Sequence, residues 1–224
     1  MGDSAITVDF GNLISEALNQ EVISLFAFLQ KHPLPGTLAL VPCYCSLTIH
    51  YDIFSLRKYC IAGQTVFDHV RTSLLERLRD LEHTAPALSR VVKIPVCYES
   101  HFAPDLAGLS GAIKISVEEI IHIHTSVVYR VYMLGFLPGF AYMGEIDEKI
   151  AMPRKSEPVP VAAGSVGIAG RQTGIYPLSS PGGWQIIGKT PVILFDAACE
   201  NPCFLDPGDR VQFYSITSHE FKNY

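Results

Sequence analysis

Charge is scarce in this sequence. Only 17% of its 224 residues are Asp, Glu, Lys or Arg, against about 25% in a typical soluble domain. There is no basic run, and 17 Lys plus Arg against 22 Asp plus Glu leave a formal charge of −5. That balance argues against nucleic acid or anionic lipid as a partner. No C-x-x-C pair occurs among the six cysteines, so neither a zinc ribbon nor a thioredoxin-type dithiol is indicated. Cys43, Cys45, Cys60, Cys97, Cys199 and Cys203 are expected to be reduced thiols packed as small apolar residues. Uninterrupted apolar runs are missing too. The most apolar window, Val127–Gly144, is broken by Arg130 and Pro138 and suits strands and a loop better than a spanning helix. The start, Met1-Gly2-Asp3-Ser4-Ala5-Ile6, has no basic-then-apolar stretch and no Ser or Thr at position 6. It therefore resembles neither a signal peptide nor a myristoylation site, and a cytoplasmic protein is expected.

What the chain has in quantity is apolar residues, 48% of the total. That excludes disorder and allows a sizeable core. Low charge with a mean hydropathy of +0.24 points to apolar surface for a partner to cover. Along the chain, Ile6–Phe10 alternates like a strand. Leu18, Val22, Leu25, Phe26 and Leu29 recur at helical spacing, and Pro33, Pro35 and Gly36 end that helix. Thr37–Tyr44 and Ser46–Asp52 are rich in strand formers. Val66, Val70, Leu74, Leu78 and Leu81 mark a second helix near Gln64–His83. The order β-α-β-β-α predicts a ferredoxin-like α+β sandwich over residues 1–86 that needs one more strand. A linker is expected at Thr84–Arg90. Beyond it, over 87–224, the helical period fades apart from a short helix at Ser116–Ile121. Strands are expected at Val91–Tyr98, Val127–Leu134, Val166–Ala169, Gln185–Ile187, Val192–Phe195 and Arg210–Tyr214, separated by Gly and Pro turns. That pattern predicts a closed barrel or sandwich.

The unusual stretch is Pro158–Phe195. It has seven glycines, the only Trp, no acidic residue, and Arg171 and Lys189 as its only cations. Turn chemistry does not require Arg171, Gln172, Thr173, Tyr176, Ser179, Ser180, Trp184 and Gln185 to cluster among glycines, so a binding surface is expected. Gly183–Thr190 matches the Walker A pattern, but its interior is Trp-Gln-Ile-Ile and Pro191 opens a β-branched run where a P-loop needs a helix. A strand is expected there instead. His122-Ile123-His124 would point two rings to one face if it were a strand. No third metal ligand stands near at a standard spacing, so no metal site is expected. His124 is a candidate acid–base group.

Five segments together resemble the allophanate hydrolase subunit 1 family. They are Gly135-Phe136-Leu137-Pro138-Gly139-Phe140-Ala141-Tyr142, Pro153-Arg154, Ala163-Gly164-Ser165-Val166, Gln172-Thr173-Gly174-Ile175-Tyr176-Pro177 and Ser180-Pro181-Gly182-Gly183-Trp184-Gln185-Ile186-Ile187-Gly188. Val41-Pro42, Tyr44, Ser46-Leu47, Tyr51-Asp52 and Ile94–Tyr98 extend the likeness over the whole chain. Two departures are that Pro158 is followed by Val159, where the family repeats Pro-Arg, and that Lys189 replaces an Arg. The resemblance implies an α+β protein with a ferredoxin-like N-terminal domain and a cyclophilin-like β-barrel. It implies a non-autonomous component of an ATP-dependent 5-oxoprolinase, working with a C component (allophanate hydrolase subunit 2-like) and an A component (LamB/YcsF-like). ATP would be shared with those partners, with no tightly bound cofactor. It also implies two alternatives, inhibition of a sensor histidine kinase and a role in urea-derived amide hydrolysis.

On the enzyme reading, Arg154 or Arg171 holds a substrate carboxylate, and the Gly182-Gly183 amides receive an oxyanion or phosphate. Phe140, Tyr142 and Trp184 form a dry wall, and His124 moves a proton. Gln172, Thr173, Tyr176, Ser180 and Gln185 complete the substrate surface. A catalytic cleft should make Arg171, Gln172 and His124 converge, whereas a docking face should spread apolar groups.

Overall fold

The computed structural model describes residues 4–81 and 89–224. The chain divides into two compact units, Met1–Leu88 and Ser89–Tyr224. Most of the expected linker, 84–88, lies outside the described residues.

In the first unit, β1 (Ala5–Asp9), β2 (Thr37–Pro42) and β3 (Ser46–Tyr51) form an antiparallel sheet in the order β1-β3-β2. The sheet packs against α1 (Glu16–Lys31) and α3 (Val66–Leu81), and the short α2 (Ile53–Leu56) follows β3. The helical period is visible in the burial. Val22, Leu25 and Leu29 of α1 and Val66, Val70 and Leu74 of α3 meet Leu47, Ile49 and Tyr51 in one core. Thr65 starts α3, its hydroxyl accepting from the Asp68 amide while Asp68 accepts from the Thr65 amide, a reciprocal N-terminal cap. Buried Asn19 donates to the Cys43 and Tyr44 carbonyls, which pins α1 to the β2–β3 turn. A fourth strand after α3 would fall on residues 82–88, outside the described set.

The second unit is a closed mixed barrel of seven strands. These are β4 (Val91–Cys97), β5 (Val128–Leu134), β6 (Ala141–Gly144), β8 (Ser165–Ala169), β9 (Gln172–Ile175), β11 (Gln185–Lys189) and β12 (Arg210–Ile216), in the order β11-β4-β12-β5-β6-β9-β8. Only β4 and β12 are parallel. Outside the barrel, β7 (Val159–Val161) and β10 (Ser180–Gly182) pair as a separate ribbon. Alternate residues point inward: Ile94, Val96, Val131, Met143, Val166, Ile168, Ile175, Ile187, Val211 and Phe213 fill the interior. Leu106 and Leu109 of α4 (Leu106–Ile113) and Ile120 and Ile123 of α5 (Val117–Ser126) join them. A last turn, α6 (Ser218–Phe221), follows β12.

Several expectations change here. Helix α5 continues five residues past Ile121, so His122 and His124 lie two apart on a helix, about 200° around its axis, and do not share a face. His122 is exposed and His124 is fully buried. Val192–Phe195 is no strand, since only Phe195 makes a single bridge, to Cys203. Helix α4 goes beyond the expectation: Leu106, Leu109 and Ile113 keep a helical spacing, but over only eight residues, two of them glycines. Of the cysteines only Cys97 is buried; Cys199 is exposed and the rest are half-buried, all as free thiols. The Walker-like segment is a strand, as its composition requires. A Cβ on Gly188 would stand 2.6 Å from Val96 Cγ1. That glycine lets β11 close on β4 and has no phosphate role. Among the described residues, no helix is long and apolar enough to cross a membrane.

Candidate functional site

The strands β6, β8, β9 and β11 have two faces with different chemistry. The outer face begins with a missing side chain on each of two strands. Gly167 of β8 and Gly174 of β9 are register partners. A Cβ on Gly174 would lie 3.1 Å from Trp184 Cζ3 and 3.2 Å from Phe140 Cζ, and one on Gly167 3.1 Å from Trp184 Cβ. The two glycines thus make a flat floor on which the rings lie. Phe140 meets Tyr142, Tyr176 and Trp184 at centroid distances of 4.8, 5.1 and 5.4 Å. The last two contacts are edge-to-face, the favoured aromatic arrangement. Val161 of the β7–β10 ribbon joins this cluster. Gly182 lies under the Tyr176 ring, where no Cβ would fit.

Above this floor stands Arg154. Its guanidinium carbon is 5.9 Å from the Trp184 ring centroid, within cation–π range. Both flanks of its backbone are tied to β11 and its approach. Gln185 donates to the Pro153 carbonyl at 3.0 Å, and the Lys155 amide donates to the Gly183 carbonyl at 2.7 Å. The Lys155 ammonium pairs with Asp105 at 2.6 Å, and the same Asp105 oxygen accepts from the Ile186 amide. Arg154 is therefore held in place and exposed, and no carboxylate among the described residues pairs with it. Burial raises the pKa values of Tyr142 and Tyr176, with the Arg154 charge partly opposing. Both phenols stay protonated as donors at neutral pH. On the ribbon, Ser180 opposes Val161. Its buried hydroxyl oxygen has no partner among the described residues.

The inner face holds a closed polar network. His124 sits with its ring 2.8 Å (Nδ1) from the Tyr98 hydroxyl and 3.0 Å (Nε2) from Thr173 Oγ1. Thr173 donates to the Gly167 carbonyl, so its oxygen must accept from His124 Nε2–H. Nδ1 then accepts from Tyr98. The Tyr129 hydroxyl donates to the His124 carbonyl, and the imidazole stacks on Phe213 at 4.7 Å. Burial pushes the His124 pKa down to about 3, so the ring is neutral. Every polar atom of the ring has a partner, as burial demands.

Of the residues expected at a site, Phe140, Tyr142, Arg154, Tyr176, Ser180, Gly182, Gly183, Trp184 and Gln185 come together on the outer wall or the ribbon beside it. His124 and Thr173 do not, because the pleat turns them inward. Half-buried Gln172 opens β9 at the strand's far end from Tyr176. Arg171 also stands apart: its guanidinium already pairs with Glu145 and Glu148, both at 2.7 Å. The convergence of Arg171, Gln172 and His124 on one cleft does not occur. The dry wall is also less accessible than expected. Phe140, Tyr176 and Trp184 are 1–4% exposed, and Tyr142 and Arg154 supply the reachable atoms. Sequence reading missed Gly167, Gly174, Lys155 and Asp105. A glycine in the middle of two β-branched runs, Ser165–Ala169 and Gln172–Ile175, was the available signal for the first two.

The carboxyltransferase domain, subdomain C and D, matches residues 1–205. The B component of the Bacillus subtilis 5-oxoprolinase is 43% identical over 226 residues, covering 100% of this chain and 94% of the relative. Its counterpart from Escherichia coli O157:H7 is 47% identical over 143 residues, covering 62% of this chain and 66% of the relative. The crystal structure of TTHA0988 superimposes with a TM-score of 0.80 at 36% identity, covering 96% of this chain but only 40% of that one. The Kluyveromyces lactis urea carboxylase shares the fold at a TM-score of 0.72 and 19% identity, covering 99% of this chain and 22% of that one. These likenesses agree with the resemblance drawn from the Gly-Gly-Trp segment.

Proposed function

The chain belongs to the carboxyltransferase subdomain C and D family, and from that premise we propose that it is the B component of an ATP-dependent 5-oxoprolinase. The end-to-end likeness to the Bacillus subtilis B component is the observation that carries this reading. The complex opens 5-oxo-L-proline to L-glutamate with hydrolysis of ATP, together with the A and C components. The units of this chain are a ferredoxin-like domain and a cyclophilin-like barrel. The former is supported by β3 lying between β1 and β2, as in a split β-α-β unit.

An unstrained lactam is a poor electrophile. Phosphorylating its oxygen with ATP makes the ring carbon open to water. In that scheme Arg154 holds the substrate carboxylate or a phosphoryl oxygen through charge-assisted hydrogen bonds. The Trp184 face and Tyr142 exclude water beside it, which strengthens the charge interaction. Ser180 offers an unused hydroxyl from the ribbon. His124 and Thr173 contribute by fixing the strands beneath.

The partner surface lies beside this wall. A Cβ on Gly139 would press on Phe195 Cβ and the Leu194 carbonyl, so the Gly135–Phe140 loop rests directly on the Leu194–Phe195 segment. The Phe204 amide donates to Leu194 O. These contacts gather Phe136, Ile193 and Phe204, which are 63%, 72% and 41% exposed. The occupant we assign is the C component. Phosphate and glutamate release should be absent from the purified chain with 5-oxo-L-proline and ATP, and should appear when the A and C components are added. Turnover by the chain alone, or none from the three together, would contradict the assignment.

A further inference from the structure

A polar cavity lies on the other side of the barrel from the β8–β9 floor, beside β12. It has a volume of about 540 Å³ and is lined by Lys93, Thr125, Gln212, Phe213, Tyr214 and Ser215. That volume is in the range of small-molecule sites, roughly 300–1,000 Å³. Its cause is a mismatch between neighbouring strands. β4 covers one edge of β12 from Arg210 to Ile216. β5 covers the other edge only from Arg210 to Gln212, because β5 begins at Val128 and the residues before it belong to the end of α5. Phe213–Ser215 therefore keep a strand edge with no strand beside it. Such an edge presents alternating N–H and C=O groups.

The side chains around the edge add a definite pattern. Lys93 lies opposite Gln212 on β4, is exposed, and has no carboxylate partner among the described residues. The Thr125 hydroxyl donates to the Ile121 carbonyl at 2.8 Å, which leaves its oxygen as an acceptor toward the cavity. The Tyr214 hydroxyl is tied to that of Tyr224 at 2.8 Å, fixing the ring as a wall. The end of α5 does not compete for a ligand. Its carbonyls at Ile121, Ile123 and His124 already accept from Thr125, Ser126 and Tyr129 hydroxyls.

We propose that this cavity binds a small carboxylate that also carries a secondary amide. The amide, with one donor and one acceptor, pairs with the open edge at Phe213–Ser215, and the carboxylate sits against the Lys93 ammonium. N-acylated amino acids have this chemistry. The inference does not rest on the 5-oxoprolinase reading, and its test needs neither a partner protein nor turnover.

The test is a titration of the ¹⁵N-labelled full chain with N-acetylglycine, followed by amide shifts. Saturable shifts confined to Lys93, Thr125 and Phe213–Ser215 are expected, with affinity reduced about tenfold by Lys93→Met, the loss of one charge-assisted contact. Acetate, which lacks the amide, should bind at least tenfold more weakly. No saturable shift up to 50-fold excess, shifts centred elsewhere, unchanged affinity in Lys93→Met, or equal binding of acetate would each overturn the proposal. Lys93 is exposed, so the variant should fold; an unchanged amide spectrum without ligand confirms it.

Discussion

The inner and outer faces of β8 and β9 are separated by a single pleat and obey opposite rules. Inside, His124, Thr173, Tyr98 and the Gly167 carbonyl satisfy one another, and burial holds the imidazole neutral. Outside, Arg154 stands over Trp184 as a cation with no carboxylate partner among the described residues. A closed network rigidifies, and an open charge binds. That difference is why we propose the outer wall as the place for a ligand and the inner network as its support, although both draw on residues from the same Gly-rich motifs.

The largest expected effect comes from joining the two faces. Gly174→Val puts a side chain within about 3 Å of Trp184, Phe140 and the Ala141 carbonyl. Overpacking of this kind costs about 1–3 kcal/mol or more. Urea unfolding should show that loss, together with a red-shifted Trp184 emission. An unchanged midpoint and spectrum would mean that the floor is not as tight as described.

The inner network should show itself through pH. An unfolded histidine titrates near 6.5, whereas the folded His124 titrates at about 3. Below pH 6.5 the unfolded chain therefore binds a proton that the folded chain does not, and stability falls with pH between those values. The contribution is fully present above pH 6.5. From pH 7 to pH 5 the loss from this residue is about 2 kcal/mol, at ~1.4 kcal/mol per unit. His124→Gln should flatten that part of the stability profile, while lowering stability at pH 7 through lost packing. An identical slope in the variant would show that His124 is not buried neutral.

Arg171 gives the smallest effect. Its ion pairs with Glu145 and Glu148 are at the surface, with the guanidinium half exposed, and pairs of that kind contribute under about 1 kcal/mol. Arg171→Ala should shift stability by no more than that and leave turnover of the assembled complex within about threefold. A loss of activity without a loss of stability would return Arg171 to the site.

Much of the scaffold was legible in the sequence because it is periodic. The two long helices of the first unit, α1 and α3, and the strands at Val91, Val128 and Arg210 follow directly from spacing. What was not legible had a common cause. β6, β7, β9 and β10 have only three or four residues each, too few for alternation to register, and all four contain Pro or Gly that reads as a turn. Trp184, Arg154 and Tyr142 could be picked out because their residue types stand out among glycines. His124 and Thr173 were drawn into the same group because proximity along the chain does not reveal which way a pleat points. The Arg171 ion pairs were hidden for another reason: Glu145 and Glu148 lie more than twenty residues away, and only the β6–β9 pairing brings them close.

The central claim is that Arg154, on the outer wall, is the residue that meets the ligand. It is tested by kcat/KM for 5-oxo-L-proline in the complete three-component complex carrying Arg154→Gln in this chain, with the melting temperature of the isolated variant as control. Removing a charged hydrogen-bonding partner of an anion should lower kcat/KM about 10- to 100-fold and leave the melting temperature within about 2 °C of the parent. Unchanged kcat/KM at unchanged stability would contradict the account.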